Sequence, residues 1–330
     1  MNKKYDVVGI GSPLLDFIIE VSDKRLDETG LAKGTMQLID TNESARLFEM
    51  LEDDEVSVSP GGSSANTVAG ASVLGSRAAF IGKVGDDTHG RTYIEKTTES
   101  GVVSLLTPHD ILATGHAITF ITPDGERTFA THLGAALGFQ KSDIADEDIA
   151  SSMFLHLEGY QLAGADSLTA LLYAIDVAKK SGTRISIDLS DAGVIRGNLE
   201  LVKKLLTESI DIVFVNELEA EALTGLSAEE SVDVIAGLCD IAVVKVGGGG
   251  SYIKTRGETH AIPVYAVDAV NTNGAGDMYA GGVLYGLARG MSPERAGHIG
   301  SFAASRVVAQ KEARLSNEAQ GEVRDFIARY

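Results

Sequence analysis

Short apolar runs alternate with longer amphipathic runs, and this alternation constrains the fold more than any other feature. The short runs are apolar on successive residues, which is typical of strands buried on both faces of a sheet. They are YDVVGIG, AAFIG, MFLHLEG, ISIDLS, IDIVFVN and IAVVKVG. Helical spacing follows in DSLTALLYAIDVAKKSG (with Gly182 as a C-terminal cap), NLELVKKLLTES and ELEAEALTG. The alternation predicts an α/β fold with a mostly parallel sheet between helices, and ligands at the carboxyl ends of its strands.

Two regions break the alternation and read as additional strands. Residues 17–43 and 115–132 contain strand-like runs and a Pro-Asp-Gly turn. We interpret them as a β lid, which leaves 1–16, 44–114 and 133–330 as the nucleotide-binding core domain. The tail from Ala275 onward has a helical pattern, and Ser292 before Pro293 is a good helix start.

The bulk composition excludes some partners. The formal net charge is −19, which argues against duplex nucleic acid and anionic membranes as partners. Cys239 is the only cysteine, so no intrachain disulfide can form. No signal peptide or membrane-spanning run is recognisable, and we expect a cytoplasmic protein. The sequence does not decide between a monomer and a homodimer.

The stretch NTNGAGDMYAGG, residues 271–282, places four glycines beside one carboxylate. Glycine lets backbone N–H groups approach a ligand closely, and a helix beginning near Ala275 would aim its N-terminal dipole at an anion. One interpretation is that Gly274, Ala275 and Gly276 bind a transferring phosphoryl group while Asp277 accepts the proton of a substrate hydroxyl. The other is that Asp277 is only a first-turn partner of the helix dipole.

Two further segments suggest a site for a polyol. Gly9-Ile10-Gly11 follows a strand, but the G-x-G-x-x-G spacing fails, which excludes a dinucleotide-binding motif. Asp16 lies where the lid begins. It is either an acidic residue of a turn, with no role in binding, or a ligand for two sugar hydroxyls. Asn66, after the Gly61-Gly62 pair, is a helix cap or a ligand for a polyol.

A third group of residues suggests a site for a nucleoside triphosphate. Asn216 and Glu219 are three residues apart at a strand end, so they either order magnesium-bound water or form a helix cap. Lys245 ends a strand before four glycines, residues 247–250, which form either a ligand cradle or a loose hairpin. No G-x-x-x-x-G-K-[ST], H-E-x-x-H or paired C-x-x-C motif is present, which excludes a P-loop enzyme and leaves zinc sites without support.

The order of these motifs resembles the PfkB family of carbohydrate and nucleoside kinases, in the ribokinase superfamily. The matching motifs are GG-x-x-x-N, GERT, N-x-x-E, K-V-G-x-x-G and NGAGD, and the resemblance runs from about residue 5 to 320. It implies a ribokinase-like three-layer sandwich with a mostly parallel central sheet and a small β-sheet lid. Within the family, SPLLD, MQLID, DGERT, HLGAA and NTNGAGD are most similar to the adenosine kinases.

The resemblance implies a role for each candidate residue. Asp277 would be the catalytic base, and Gly274, Ala275 and Gly276 would form the anion hole. Asp16, Gly62 and Asn66 would hold sugar hydroxyls, Gln37 would face the base, and Arg127 would reach the phosphates on lid closure. The expected ATP-site residues are Asn216, Glu219, Lys245, Gly247, Gly250, Ala304 and Val308. Mg²⁺ would be bound through water at Glu219.

The expected function is therefore ATP-dependent phosphorylation of the 5'-hydroxyl of adenosine to AMP, as in purine salvage. The alternative enzyme is a sugar kinase acting on ribose, fructose or a keto-deoxy sugar acid. A nucleotide-binding sensor without chemistry is a further alternative, against which the intact Asp277 argues. Asn271 stands where the family usually has an aspartate that helps to bind a monovalent cation, which puts potassium activation in doubt.

Overall fold

The computed structural model describes residues 3–52 and 54–330. Within these ranges the strands in chain order are β1 Tyr5–Ile10, β2 Leu14–Glu20, β3 Met36–Leu38, β4 Ser57–Gly61, β5 Ala78–Gly85, β6 Val102–His109, β7 Gly115–Ile121, β8 Arg127–His132, β9 Ser152–Glu158, β10 Arg184–Asp188, β11 Ile212–Asn216, β12 Ile241–Lys245, β13 Ser251–Thr255 and β14 Thr259–Ile262.

The α-helices in the same ranges are α1 Asp23–Thr29, α2 Thr41–Met50, α3 Ser63–Val73, α4 Thr88–Glu99, α5 Asp146–Ala150, α6 Ala165–Ser181, α7 Ala192–Gly197, α8 Leu199–Glu208, α9 Glu217–Thr224, α10 Ala228–Ala236, α11 Ala275–Ala288, α12 Pro293–Val308 and α13 Asn317–Arg329. Two predicted helix ends are confirmed. Gly182 caps α6 in the left-handed conformation with φ 68°, and the Ser292 hydroxyl accepts a hydrogen bond from the Arg295 amide at the start of α12.

The large sheet has nine strands in the order β14-β13-β12-β11-β10-β9-β1-β5-β6. The run from β12 to β6 is parallel, and only β13 and β14 at one edge pair antiparallel. The strand order reverses at β1, which lies between β9 and β5. This confirms the predicted α/β class, and it places the crevice at the carboxyl ends of β1 and β9.

Alternate strand residues enter two separate cores, one on each face of the large sheet. In β11, Val213 and Val215 pack with α6, α8, α9 and α10, whereas Ile212 and Phe214 pack with α3 and α11. All four side chains are fully buried, and each such burial stabilises the fold by about 1.5–3 kcal/mol. The sheet therefore forms the middle of three layers, as the ribokinase-like prediction requires.

A second sheet of five strands, in the order β3-β8-β7-β2-β4, forms the lid expected from the sequence. It extends beyond the predicted segments, because Leu14–Asp16 and Ser57–Gly61 also pair within it. Both stretches lie in ranges predicted to belong to the core domain, and SVSPG shows no alternating pattern that would indicate a strand. No helix in residues 3–52 and 54–330 has the length and apolarity that a membrane span needs.

Candidate active site

The first turn of α11 lies at the carboxyl edge of the large sheet. Gly274 precedes it with φ 74°, a conformation that favours glycine, and a Cβ there would lie 2.5 Å from the carbonyl oxygen of Ala313. The first-turn amides of Gly276 and Asp277 have no acceptor within the helix, so they are available to an anion. The Ala275 amide donates to the Thr272 carbonyl at 3.3 Å. The anion hole of Gly274, Ala275 and Gly276 stays a prediction.

Asp277 is held by two side chains from α3. The Ser63 hydroxyl donates to Oδ1 at 2.8 Å, and the Asn66 amide donates to Oδ2 at 3.1 Å. Burial raises the pKa of Asp277 to about 6 and nearby Asp188 adds to the rise, while Ser63 and Asn66 oppose it. A carboxylate with this pKa is deprotonated at neutral pH and is still basic enough to take a proton.

Arg314 fixes the orientation of Asn66 and was not identified from the sequence. Its Nε donates to Asn66 Oδ1 at 3.0 Å, so the amide group of Asn66 must turn its NH₂ toward Asp277. The two terminal nitrogens of Arg314 are buried and have no hydrogen-bond partner in the part of the chain that the structure describes. Arg314 ends the segment KEAR after α12, which has no local pattern that predicts a contact with α3.

Asp16 lies in β2 and directs its carboxylate over Gly61. A Cβ on Gly61 would lie 2.4 Å from Asp16 Oδ2, so glycine leaves room for the acid. Burial raises the pKa of Asp16 to about 7, against the opposing charges of Arg314 and Arg127, and Asp277 adds to the rise. The structure therefore brings Asp16 and Asp277 into one pocket with a guanidinium group.

Gly62 closes the wall of this pocket next to the β1–β2 connection. It has φ 99°, and a Cβ would lie 2.3 Å from the Ser12 carbonyl oxygen. The glycine is therefore required by backbone packing, and its contact with a sugar hydroxyl stays a prediction. The buried Glu158 carboxylate at the end of β9 links the β1–β2 connection to α3. It accepts hydrogen bonds from the backbone amides of Ser12 at 2.8 Å and Ser64 at 2.9 Å. Glu158 was not identified from the sequence.

The lid strands place Gln37 away from Asp16. Asp16 pairs with Ala117, Ala117 with Thr131, and Thr131 with Leu38, so these side chains share one face. Gln37 is the neighbour of Leu38 in β3, and its side chain therefore lies on the opposite face of the sheet. The predicted contact of Gln37 with the acceptor is therefore not supported. A three-residue strand carries too short a pattern for its face to be predicted.

Arg127 is placed on the pocket face of the lid. It pairs with Ile121, which pairs with Glu20, four residues along β2 from Asp16. Its Nη1 is buried without a hydrogen-bond partner in residues 3–52 and 54–330. Burial lowers the pKa of Arg127 and Asp16 opposes this. Its predicted role at the phosphates is not tested by these contacts.

A second charged network lies beside the anion hole. Lys245 Nζ contacts Asp188 Oδ2 at 2.6 Å, and it would lie 3.1 Å from a Cβ on Gly276. Burial disfavours the charge on Lys245, but Asp188 and Glu219 outweigh it and raise the pKa. Asp188 ends β10 and was missed in the sequence, although ISIDLS places an acid at the expected edge. Lys245 thus presents a fixed positive charge next to the first turn of α11.

Asn216 and Glu219 form a helix cap at the start of α9. The Asn216 side chain accepts from the Glu219 amide at 2.9 Å, and the Glu219 carboxylate accepts from the Asn216 amide at 2.9 Å. Glu219 is 2% exposed, and burial, with Asp188, raises its pKa. The capping interpretation of this pair is therefore correct. It does not preclude water-mediated magnesium binding, which stays a prediction.

The remaining ATP-site candidates lie at the ends of β12 and α12. Gly247 has φ 42°, and Gly250 has φ 94° with the space of its Cβ taken by the Ile262 carbonyl at 2.2 Å, so Gly250 is required by the hairpin. Ala304 and Val308 are partly buried on α12. The Val308 carbonyl accepts from the Asn271 amide at 3.0 Å, which places Val308 next to the loop before α11. Contacts of these residues with adenine remain predictions.

Asn271 anchors the loop before α11 to the segment that carries Arg314. Its Nδ2 donates to the Lys311 carbonyl at 2.5 Å, and its Oδ1 accepts from the Asn273 amide at 2.8 Å. Lys311 in turn pairs with Glu20 at the end of β2, at 2.7 Å. Asn271 therefore has a structural role here as a neutral amide, and monovalent cation binding remains in doubt.

The donor set suits a metal carried by the nucleotide better than a resident metal. Residues 3–52 and 54–330 contain no group of three or more His, Cys, Asp or Glu side chains placed to hold a metal ion. Mg²⁺ commonly keeps several waters and binds through one or two carboxylates plus substrate phosphates. Asp188 and Glu219 beside Lys245 fit that arrangement.

Comparison with known proteins decides the family. The profile of the pfkB family carbohydrate kinases matches residues 30–320. The chain belongs to this family. A protein of Bacillus subtilis (strain 168) named 5-dehydro-2-deoxygluconokinase is 32% identical, covering 81% of this chain and 86% of that protein. A protein of the same name from Shouchella clausii (strain KSM-K16) is 30% identical over 98% of this chain and 96% of that protein.

Solved structures similar to this pfkB family chain include both sugar and nucleoside kinases. A probable sugar kinase from Rhizobium etli CFN 42 superposes with a TM-score of 0.91 and 29% identity, covering 98% of this chain and 99% of that chain. An adenosine kinase from Sinorhizobium meliloti superposes with a TM-score of 0.90 and 31% identity, with the same coverage. These matches confirm the ribokinase-like fold.

These findings confirm the predicted enzyme class and correct the predicted acceptor. The pfkB family chain is a phosphotransferase with an alcohol group as acceptor, which excludes the sensor interpretation. The assignment to adenosine phosphorylation is wrong. The curated relatives named above are kinases of a keto-deoxy sugar acid, which was the alternative, although adenosine kinase structures are also neighbours. Short motifs such as SPLLD and MQLID do not distinguish the two acceptor classes.

Proposed function

We propose that this enzyme transfers the γ-phosphoryl group of ATP to a hydroxyl group of a keto-deoxy sugar acid. The proposal for the transfer step depends on Asp277, a base held by Ser63 and Asn66 at the first turn of α11. The acceptor class is supported by the relatives named 5-dehydro-2-deoxygluconokinase. Asp16, in the same pocket, would bind acceptor hydroxyls.

In the proposed reaction Asp277 accepts the proton of the acceptor hydroxyl as its oxygen bonds to the γ-phosphorus. The bond between that phosphorus and the β–γ bridging oxygen breaks, and ADP leaves with the bridging oxygen. The amides of the first turn of α11 and the charge of Lys245 stabilise the equatorial oxygens during transfer. Mg²⁺, bound with ATP, would neutralise phosphate charge, and Asp188 and Glu219 would hold its water.

The proposal is tested with an acceptor screen. Purified enzyme, ATP and Mg²⁺ are incubated with 5-dehydro-2-deoxygluconate, ribose, fructose, adenosine or inosine, and ADP release is measured. We expect kcat/KM for the sugar acid to exceed that for each neutral acceptor by at least tenfold. Faster phosphorylation of a neutral sugar or a nucleoside would overturn the proposed acceptor class. Asp277→Asn is the matched control, since ADP release that persists in it is not acceptor phosphorylation.

A further inference from the structure

Arg314 carries a positive charge into the acceptor pocket that the phosphoryl-transfer chemistry does not require. It comes from the loop between α12 and α13, and its Nε is used by Asn66 at 3.0 Å. Both terminal nitrogens are buried and lack a hydrogen-bond partner in the described residues. Buried donors left unpaired are uncommon and costly, so a ligand that accepts hydrogen bonds from both nitrogens would be stabilised here.

The neighbours of Arg314 show which kind of ligand fits. Burial lowers the pKa of Arg314, whereas the nearby Tyr93 hydroxyl, Asp16 and Asp277 raise it. Arg314 in turn lowers the pKa of Asp16. Asp16 is nevertheless protonated in part near neutral pH, because burial raises its pKa to about 7. The acids therefore only partly neutralise the guanidinium group. A planar guanidinium with two free terminal nitrogens matches a carboxylate in bidentate geometry.

Arg314 is also rigid, which suits a residue that selects a substrate. The Asn66 bridge fixes its Nε, and the adjacent Ala313 packs against Gly274, where a Cβ would be 2.8 Å from the Ala313 Cβ. One amide side chain separates Arg314 from Asp277. A short acceptor can therefore place a hydroxyl at Asp277 and a charged group at Arg314.

We propose that the terminal nitrogens of Arg314 bind the carboxylate of the acceptor and make this residue the determinant of acid over neutral acceptors. This inference rests on the proposed function and adds to it a named specificity residue. Arg127, on the lid, also lowers the pKa of Asp16, and its role at the phosphates stays a prediction.

The test compares a sugar acid with its uncharged C1 amide in wild type and in Arg314→Met. A charge-assisted hydrogen-bond pair in a buried site corresponds to about 10–100-fold in affinity. We expect wild type to show a KM for 5-dehydro-2-deoxygluconate 10–100-fold below that for the amide. In Arg314→Met this preference should fall below threefold, while the KM for ATP stays within threefold of wild type.

Controls separate this role from a structural one. Arg324→Met removes an exposed arginine of α13 that bonds Gln320 at 3.2 Å, and it should retain the wild-type preference. Arg314→Lys keeps the charge without the bidentate geometry, so it should show an intermediate preference even if Arg314→Met folds poorly. Thermal melting of each variant monitors folding.

Three outcomes would overturn the inference. An unchanged preference in Arg314→Met and Arg314→Lys, with kcat lowered equally for acid and amide, would mean that Arg314 only orients Asn66. A rise in the KM for ATP instead of the acceptor would assign its nitrogens to a phosphate. A wild type that phosphorylates no sugar acid would overturn the proposed function itself, and the inference with it.

Discussion

Asp16→Asn should stabilise the unliganded enzyme above neutral pH while weakening acceptor binding. Asp16 is a partly buried acid whose pKa rises from its ordinary value of 3.8 to about 7, chiefly through burial. When the pKa of an acid is higher in the folded state than in the unfolded state, ionisation of that acid destabilises the folded protein at high pH. An asparagine of the same shape carries no charge and removes this penalty. The wild-type enzyme is therefore less stable than the variant because it retains a carboxylate that acceptor binding needs.

The magnitude follows from the size of the pKa change. A rise from 3.8 to about 7 corresponds to about 4 kcal/mol at 1.36 kcal/mol per pKa unit. Because Asp16 is partly exposed, we discount this to about 1–2 kcal/mol. For 330 residues the unfolding entropy is about 0.7 kcal/mol per kelvin, so the gain in Tm is about 1.5–3 °C. The gain is full above pH about 7, shrinks as pH falls toward 4, and vanishes below that.

The assay is thermal unfolding of wild type and Asp16→Asn from pH 4 to 8.5 without ligands. Asp110→Asn, at an exposed position, serves as the control for removing one carboxylate elsewhere in the chain. The reasoning would be refuted if Asp16→Asn were no more stable than wild type at pH 8, or if its advantage were as large at pH 4. Acceptor KM measured on the same samples should rise in Asp16→Asn.

Three other predictions concern the base and the pocket wall. Asp277→Asn should lower kcat by about 10²–10⁴-fold with ATP affinity nearly unchanged, measured by ADP release and nucleotide titration; near-normal kcat would exclude Asp277 as the base. Since burial raises the pKa of Asp277 to about 6 and the base must be deprotonated, kcat should fall about tenfold per pH unit below 6 and level off above it. Removal of the opposing hydrogen bond in Asn66→Ala should move that midpoint to higher pH, and an unmoved midpoint would contradict the assignment. Gly62→Ala should destabilise the fold by about 2 kcal/mol or more in urea unfolding, because it adds a clash at 2.3 Å to positive-φ strain. Gly30→Ala, with φ 80° and open space around its Cβ, should show the strain alone, and equal losses in both variants would count against the clash.

Local sequence patterns predicted those parts of the fold that are determined locally. Gly182 and Ser292 were identified as helix caps because a cap is defined within a few residues. The strands of the large sheet were recognised because burial on both faces leaves continuous apolar runs. Asn216 and Glu219 were found for the same reason, since their capping box spans three residues.

The parts that failed depend on long-range pairing. The face of Gln37 is set by pairing of β3 with β8, more than 90 residues away in the chain. The contact of Arg314 with Asn66 joins residues 248 apart, and Asp188 meets Lys245 across β11. Single residues without a local pattern give no sign of such contacts. The acceptor was misassigned because the NGAGD chemistry is shared by sugar and nucleoside kinases of one fold.

The attachment of residues 311–314 to the loop before α11 also sets an order of events during synthesis. Every described strand ends by Ile262, so all strands of both sheets precede α11 and Arg314 in the chain. The acceptor pocket acquires its guanidinium group only when Arg314 emerges and docks on Asn66. A chain in which both sheets have formed therefore still lacks this group until the segment after α12 docks on α3.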